Sequence, residues 1–205
     1  MERENTKRTI VREALRLFSV QGFEATSVSQ IADAVGIRKA SLYCHFENKQ
    51  AILDAVVALM QEHYSAHSIF TTDWEDPVVV QKMQGLTPQQ VTKAVQAHVR
   101  YILHDEKICM VRKMLKIEQF RNAMLAGIQT RQTYTEVLRY AEGLIGFLVR
   151  QGMVKTDDVP STAAQFCFPV SVWIDLCDRE PEREEEIMGR IEKHITQFFR
   201  VCGNA

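Results

Sequence analysis

Apolar residues recur at helical spacing along nearly the whole chain. Ile10, Ala14, Leu17 and Phe18 fall at i, i+4, i+7 and i+8, one stripe along a first helix that Gly22 ends. Ser27-Val28-Ser29-Gln30 reads as a capping box at the start of a short helix with Val28, Ile31, Ala32 and Val35 inward. Gly36 sits where a left-handed stop is wanted, and a second short helix then turns Leu42 and Phe46 inward. Asn48 caps a longer helix carrying Ile52, Leu53, Val56, Leu59, Met60 and Tyr64.

From about Ser65 to Pro77 the period breaks over SAHSIFTTDWEDP, which divides the chain into a module at 1–65 and a body at 66–205. Thr87-Pro88-Gln89-Gln90 opens a helix reaching about His104. A further helix runs through Phe120, and a long one spans Asn122 to Gln151 before Gly152. Pro169 predicts a kink or break in the next helical segment. Glu180-Pro181 opens a last helix with the stripe Ile187, Ile191, Ile195 and Phe198. The fold class is all-α.

Charge changes this picture only locally. The 205 residues carry a formal net charge of −1, with eight Lys/Arg against six Asp/Glu in the first fifty residues, so the positive end lies toward the N-terminus. No apolar run is long enough to cross a bilayer, and the start lacks the apolar core of a secretory signal. Five cysteines without a C-x-x-C pair read as neither a disulfide framework nor a metal site, which points to a reducing, cytoplasmic setting without cofactor or metal. His63 and His67 make one i, i+4 pair, at most half a metal site. Cys44 beside His45 does not make an enzyme, because neighbours on a helix point about 100° apart. A redox-responsive regulator through Cys44, which stands near Arg38, Lys39 and His45 in the sequence, remains an alternative.

Two short helices around a Gly-containing turn, braced by a preceding helix, form a helix-turn-helix pattern. Its second helix can enter the major groove of DNA N-terminus first. Arg38 and Lys39 at that end reach guanine edges or phosphates, Ala40 permits close approach, Tyr43 and His45 can donate to phosphate, and Lys49 supplies a cation at a helix start.

The landmarks A-L-x-L-F at 14–18, G-F-x-A-T-S at 22–27, I-A-x-x-x-G-I at 31–37, S-L-Y-x-H-F at 41–46 and N-K-x-x-I-L at 48–53 resemble the DNA-binding domain of TetR-type transcriptional regulators. The resemblance covers about a quarter of the chain. It implies a three-helix DNA-binding domain at 1–65 and a ligand-binding and dimerisation domain at 66–205. It further implies a homodimer on palindromic double-stranded DNA, and repression relieved by a small effector; a regulator without an effector is the other alternative. Carried over by position, the DNA contacts fall on Thr26, Ser27, Arg38, Lys39, Ala40, Ser41, Tyr43, His45 and Lys49. Arg38 departs from the family, which often has Ser or Thr there, so the helix loses a side-chain cap and gains a cation.

The body is less diagnostic. An apolar or amphipathic effector needs a cavity with a few placed polar groups, and His98, Tyr101, Met110, Met114, Glu118, Phe147, Phe166 and Trp173 are the candidates, although core packing accounts equally well for each. The stripe Ile187, Ile191, Ile195 and Phe198 is read as an apolar surface that a second copy would bury in a twofold interface.

Overall fold

Capping chemistry sets most of the helix boundaries in the computed structural model, which describes residues 2–67 and 69–203, without the side chains of residues 2, 3 and 65–67. Among them are α1 (Glu2–Gln21), α2 (Val28–Val35), α3 (Lys39–Tyr43), α4 (Lys49–His67), α5 (Pro77–Lys82), α6 (Pro88–His104), α7 (Glu106–Glu118), α8 (Ala123–Thr130), α9 (Glu136–Arg150), α10 (Val159–Cys177) and α11 (Glu184–Cys202). Single 3-10 turns occur at Ile69–Thr71 and Pro181–Arg183, and a π turn at Arg131–Thr135 interrupts the expected long helix between α8 and α9. Among the described residues the only β pairing is an isolated bridge between Val154 and Gly203, so the all-α class holds. No described helix is long and apolar enough to cross a membrane.

The predicted capping boxes form. Ser27 accepts from the Gln30 amide while Gln30 Oε1 accepts from the Ser27 amide, and Thr87 and Gln90 repeat the exchange at the start of α6. Asn48 Oδ1 accepts from Ala51 N at 2.9 Å, and Gly36 closes α2 at φ 76°. Each such cap stabilises its helix by about 1 kcal/mol.

The chain divides into two units, Met1–Ser68 with Asp105–Gln129, and Ile69–His104 with Thr130–Ala205. This differs from a single cut at residue 65, because α7 and α8 pack with the N-terminal helices. In the first unit α1 packs on α2, α4 and α7. Ile10, Ala14, Phe18, Ile31, Leu42, Ile52 and Leu53 share one core with Val111, Met114, Leu115 and Leu125. His63 Nε2 lies 3.2 Å from Asp105 Oδ1, while the side chain of His67, the other member of the i, i+4 pair, lies outside the described residues.

In the second unit α10 packs along α9, and α11 packs on α6 and α10. One expectation is narrowed there and another corrected. Pro169 does not break the helix: α10 runs from Val159 to Cys177, and His194 Nε2 donates to the Phe166 carbonyl at 3.0 Å, so a side chain of α11 meets a carbonyl in the turn before the proline. The stripe of α11 is not an exposed surface. Ile187, Ile191 and Ile195 are fully buried and Phe198 nearly so, because α11 spends its apolar face inside its own chain.

Candidate nucleic-acid interface

The geometry of the reading pair begins with how α3 is anchored. Leu42 is its one buried residue, and Phe46, just beyond it, packs into the same core. Arg38 occupies the N-cap position with extended backbone and makes no side-chain capping bond, as its replacement of a Ser or Thr cap predicts. Arg38, Lys39, Ala40, Ser41 and Cys44 are exposed, Tyr43 is 46% exposed and His45 is half-buried. Cys44 Sγ lies 3.6 Å from the Ala40 carbonyl, within its own helix. The outward face is thus basic and polar, with no acidic residue in α3.

Two expected DNA contacts turn inward instead. Thr26 is only 1% exposed; its hydroxyl donates to the Gly22 carbonyl at 2.7 Å and accepts from Gln21 Nε2 at 3.0 Å. Lys49 Nζ donates to the carbonyl oxygens of Phe23 at 2.8 Å and Glu24 at 3.3 Å, and sits over the Phe23 ring. Both residues lock the turn between α1 and α2. Ser27 is exposed, yet its oxygen is engaged as the cap of α2.

Two further residues take part: Lys7, which the sequence reading missed, and Glu118, which it assigned to a ligand pocket. Lys7 Nζ lies 5.5 Å from the centroid of the Phe46 ring, which brings a cation from α1 to the end of α3. Glu118, a carboxylate in the apolar stripe of α7, is fully buried and accepts from Phe23 N at 2.7 Å. The only signal for it was a charge at a position where the period demands an apolar residue.

The eight candidate pocket residues are divided between the two units. Met110, Met114 and Glu118 belong to the first unit, and His98, Tyr101, Phe147, Phe166 and Trp173 to the second, where Phe147 and Phe166 are core. A groove of about 270 Å³ in the second unit is lined by none of the eight. It lies beside the strap 69–76, where Arg139 Nη2 donates to the Phe70 carbonyl and Arg150 Nη2 to that of Trp74, both at 3.1 Å. Phe70, Trp74 and Tyr140 form its aromatic wall, with centroid separations of 5.6 Å and 5.3 Å from Tyr140 to the other two. Burial raises the Tyr140 hydroxyl to a pKa of about 12 and lowers that of His98, whose ring stands edge-on to Phe70. The strap fell in the segment read from sequence as a junction.

The profile of the family described as bacterial regulatory proteins, tetR family, matches residues 10–56. The class A tetracycline repressor of transposon 1721 from Escherichia coli is 34% identical over 65 residues, 32% of this chain and 30% of the repressor. This chain therefore matches less than a third of that relative's length. The negative transcriptional regulator of the icaADBC biofilm operon, IcaR, from Staphylococcus epidermidis is 28% identical over 149 residues, 60% of this chain and 80% of that protein. Among solved structures, a TetR-family regulator from Mesorhizobium loti superposes over 100% of both chains with a TM-score of 0.66 at 16% identity. The flavonoid-responsive regulator FrrA does so over 98% of each with a TM-score of 0.63 at 21% identity. Those likenesses carry the fold across the whole chain, and the profile and sequence matches carry the reading module. Residues 10–56 thus match the DNA-binding module of bacterial tetR-family regulatory proteins, and the whole chain shares the fold of solved TetR-family regulators.

Proposed function

We propose that the chain is a DNA-binding regulator, a repressor acting as a homodimer on palindromic duplex DNA, which releases that DNA when a small apolar or amphipathic effector occupies its second unit. The observation that carries the reading is the face of α3: Leu42 alone is buried while Arg38, Lys39, Ala40, Ser41 and Tyr43 stand outward. Cations and a small residue at the start of a helix suit entry into the major groove. Lys7 adds a backbone contact from α1, and Ser27 and His45 flank the pair.

Three features support the finer parts. The groove beside Trp74 offers an aromatic wall with charged rims for the effector, and FrrA is named for its response to flavonoids. IcaR is a negative regulator, which supports repression. A dimer would use the outer faces of α10 and α11, where Val172 and Val201 are 63% and 68% exposed, rather than the buried stripe. Reaching duplex DNA implies a cytoplasmic setting. The relatives do not favour a redox sensor at Cys44.

The decisive experiment is selection of genomic fragments by the purified full-length protein, followed by fluorescence anisotropy on the enriched duplex. Enrichment of an inverted repeat bound with preference over random DNA is the expected result. Binding that does not distinguish enriched from random duplexes overturns the reading.

A further inference from the structure

We propose that Glu118 is a positioning residue for DNA recognition: through the Phe23 amide, α7 fixes the turn that sets the α2–α3 pair against α1. This rests on the proposed reading of DNA by α3.

The argument starts at the end of α1. Gly22 adopts φ 84° and its amide returns to the Phe18 carbonyl at 3.0 Å, the usual closure of a helix by a left-handed residue. The amide one residue further on returns, in a Schellman closure, to a carbonyl of its own helix. Here Phe23 N instead donates to Glu118 Oε1 at 2.7 Å, so a residue 95 positions away completes the end of α1. The carbonyl side of the same residue is held by Lys49 from α4, and the Gly22 carbonyl by Thr26. Four residues after Phe23, Ser27 caps α2. One hydrogen bond from α7 is therefore written directly into the turn that launches the reading pair.

Packing alone does not account for a carboxylate at that place. Val111, Met114, Leu115 and Glu118 occupy one face of α7, and the first three are apolar core. Glu118 is as buried as they are, and its Oε2 has no hydrogen-bond partner among the described residues. An apolar side chain there would avoid stranding a polar oxygen in the core. What an apolar residue would not do is hold the Phe23 amide. Gly22 is fitted to the same contact, since a Cβ on it would intrude on Glu118 Oε1.

The test measures affinity of the full-length protein for its enriched duplex and for random duplex, in wild type, Glu118→Met, Glu118→Gln and Met114→Ala, with melting curves for each. Glutamine keeps the acceptor and should keep the preference for the enriched duplex within about threefold, whereas methionine should lower that preference by roughly tenfold or more. Random-duplex affinity and its salt dependence should stay at the wild-type level. Met114→Ala, which loosens the same helix without touching the bond, should keep the preference. The inference is overturned if Glu118→Met retains the preference, or if Met114→Ala loses it to the same degree. Should Glu118→Met fail to fold, Gly22→Ala breaks the contact from the other side and must lower the preference; an unchanged preference there is equally fatal. A wild type without any preference would defeat the DNA reading itself. Amide exchange at Phe23, slow in wild type and Glu118→Gln and fast in Glu118→Met, would still show whether the bond governs the turn.

Discussion

Lys49 Nζ donates to the Phe23 carbonyl at 2.8 Å and lies 4.2 Å from the centroid of the Phe23 ring, so one ammonium serves both the backbone and the aromatic face of the same residue. A cation that the sequence offers to phosphate is instead spent inside the protein. Lys49→Met should lower stability by about 1.5–3 kcal/mol, the range for hydrogen bonds from a charged group, read from urea unfolding. A variant as stable as wild type would show that the ammonium is not held in solution.

The two cations of α3 should separate by role. Lys39→Ala should weaken binding to all sequences alike and reduce the salt slope by about 1, while Arg38→Ala should change which half-site is preferred. Anisotropy on duplexes varied at single positions distinguishes them. The same loss on every duplex from both substitutions would refute the division.

Two left-handed glycines make a controlled comparison. Gly22→Ala places a Cβ both in a strained backbone region and against Glu118, whereas Gly36→Ala, at φ 76°, meets nothing within 4 Å. The first should lower Tm by roughly 5–10 °C and the second by roughly 2–4 °C, from the usual cost of left-handed strain. Equal shifts would mean that Glu118 yields freely.

In α9 the ordinary helix preference should reverse. Gly143→Ala gains up to about 1 kcal/mol of helix propensity. Its Cβ would, however, strike the Trp74 indole, which is packed in the notch that the glycine leaves. We expect a lower Tm and red-shifted tryptophan emission as the ring is pushed toward water. A raised Tm would show that the strap 69–76 is not seated on α9.

The buried and outer faces of α11 should respond differently. Ile191→Ala opens a cavity in a fully buried site and should cost about 2–5 kcal/mol, whatever the state of assembly. Val201→Glu, at a position 68% exposed, should leave unfolding of the monomer nearly unchanged while weakening self-association, as followed by light scattering. Dissociation by neither change would move the proposed interface away from α11.

Acid should act on the start of α7. Burial opposes ionisation of Asp105, but the Ile108 amide, His63 and the Lys107 amide outweigh it and hold its carboxyl below the ordinary aspartate range. A depressed carboxylate contributes stability that is present above its unfolded pKa and is lost as pH falls through the folded one. Asp105→Asn keeps a capping oxygen but removes the charge, so its stability should fall less steeply than that of wild type below about pH 4. Parallel acid melting curves would refute this.

What was legible in the sequence follows from where the physics is local. Capping boxes at Ser27 and Thr87, the stop at Gly36 and the inward Leu42 each depend on residues a few positions apart, and each appears as read. Residues that act across long separations were misread. Lys49 looks like a surface donor until the Phe23 carbonyl is brought beside it, and Glu118 looks like a pocket residue until α7 lies on α1. Thr26 was misread although its partner, the Gly22 carbonyl, is only four residues away. The stripe of α11 illustrates the same limit: periodicity reports that one face is buried, not against which chain. Pro169 was judged by its local rule, yet α10 continues past it to Cys177.

The anchoring of α3 has a consequence for how such a protein diversifies. Because one buried leucine holds the helix while its other four residues lie outward or at the surface, the outward set contributes little to folding free energy. On the proposed reading of DNA by α3, target choice can then drift, or be transplanted from another regulator, by rewriting Arg38, Lys39, Ala40 and Tyr43 alone. The scaffold that evolution must preserve and the vocabulary it can exchange are carried by different residues of the same short helix.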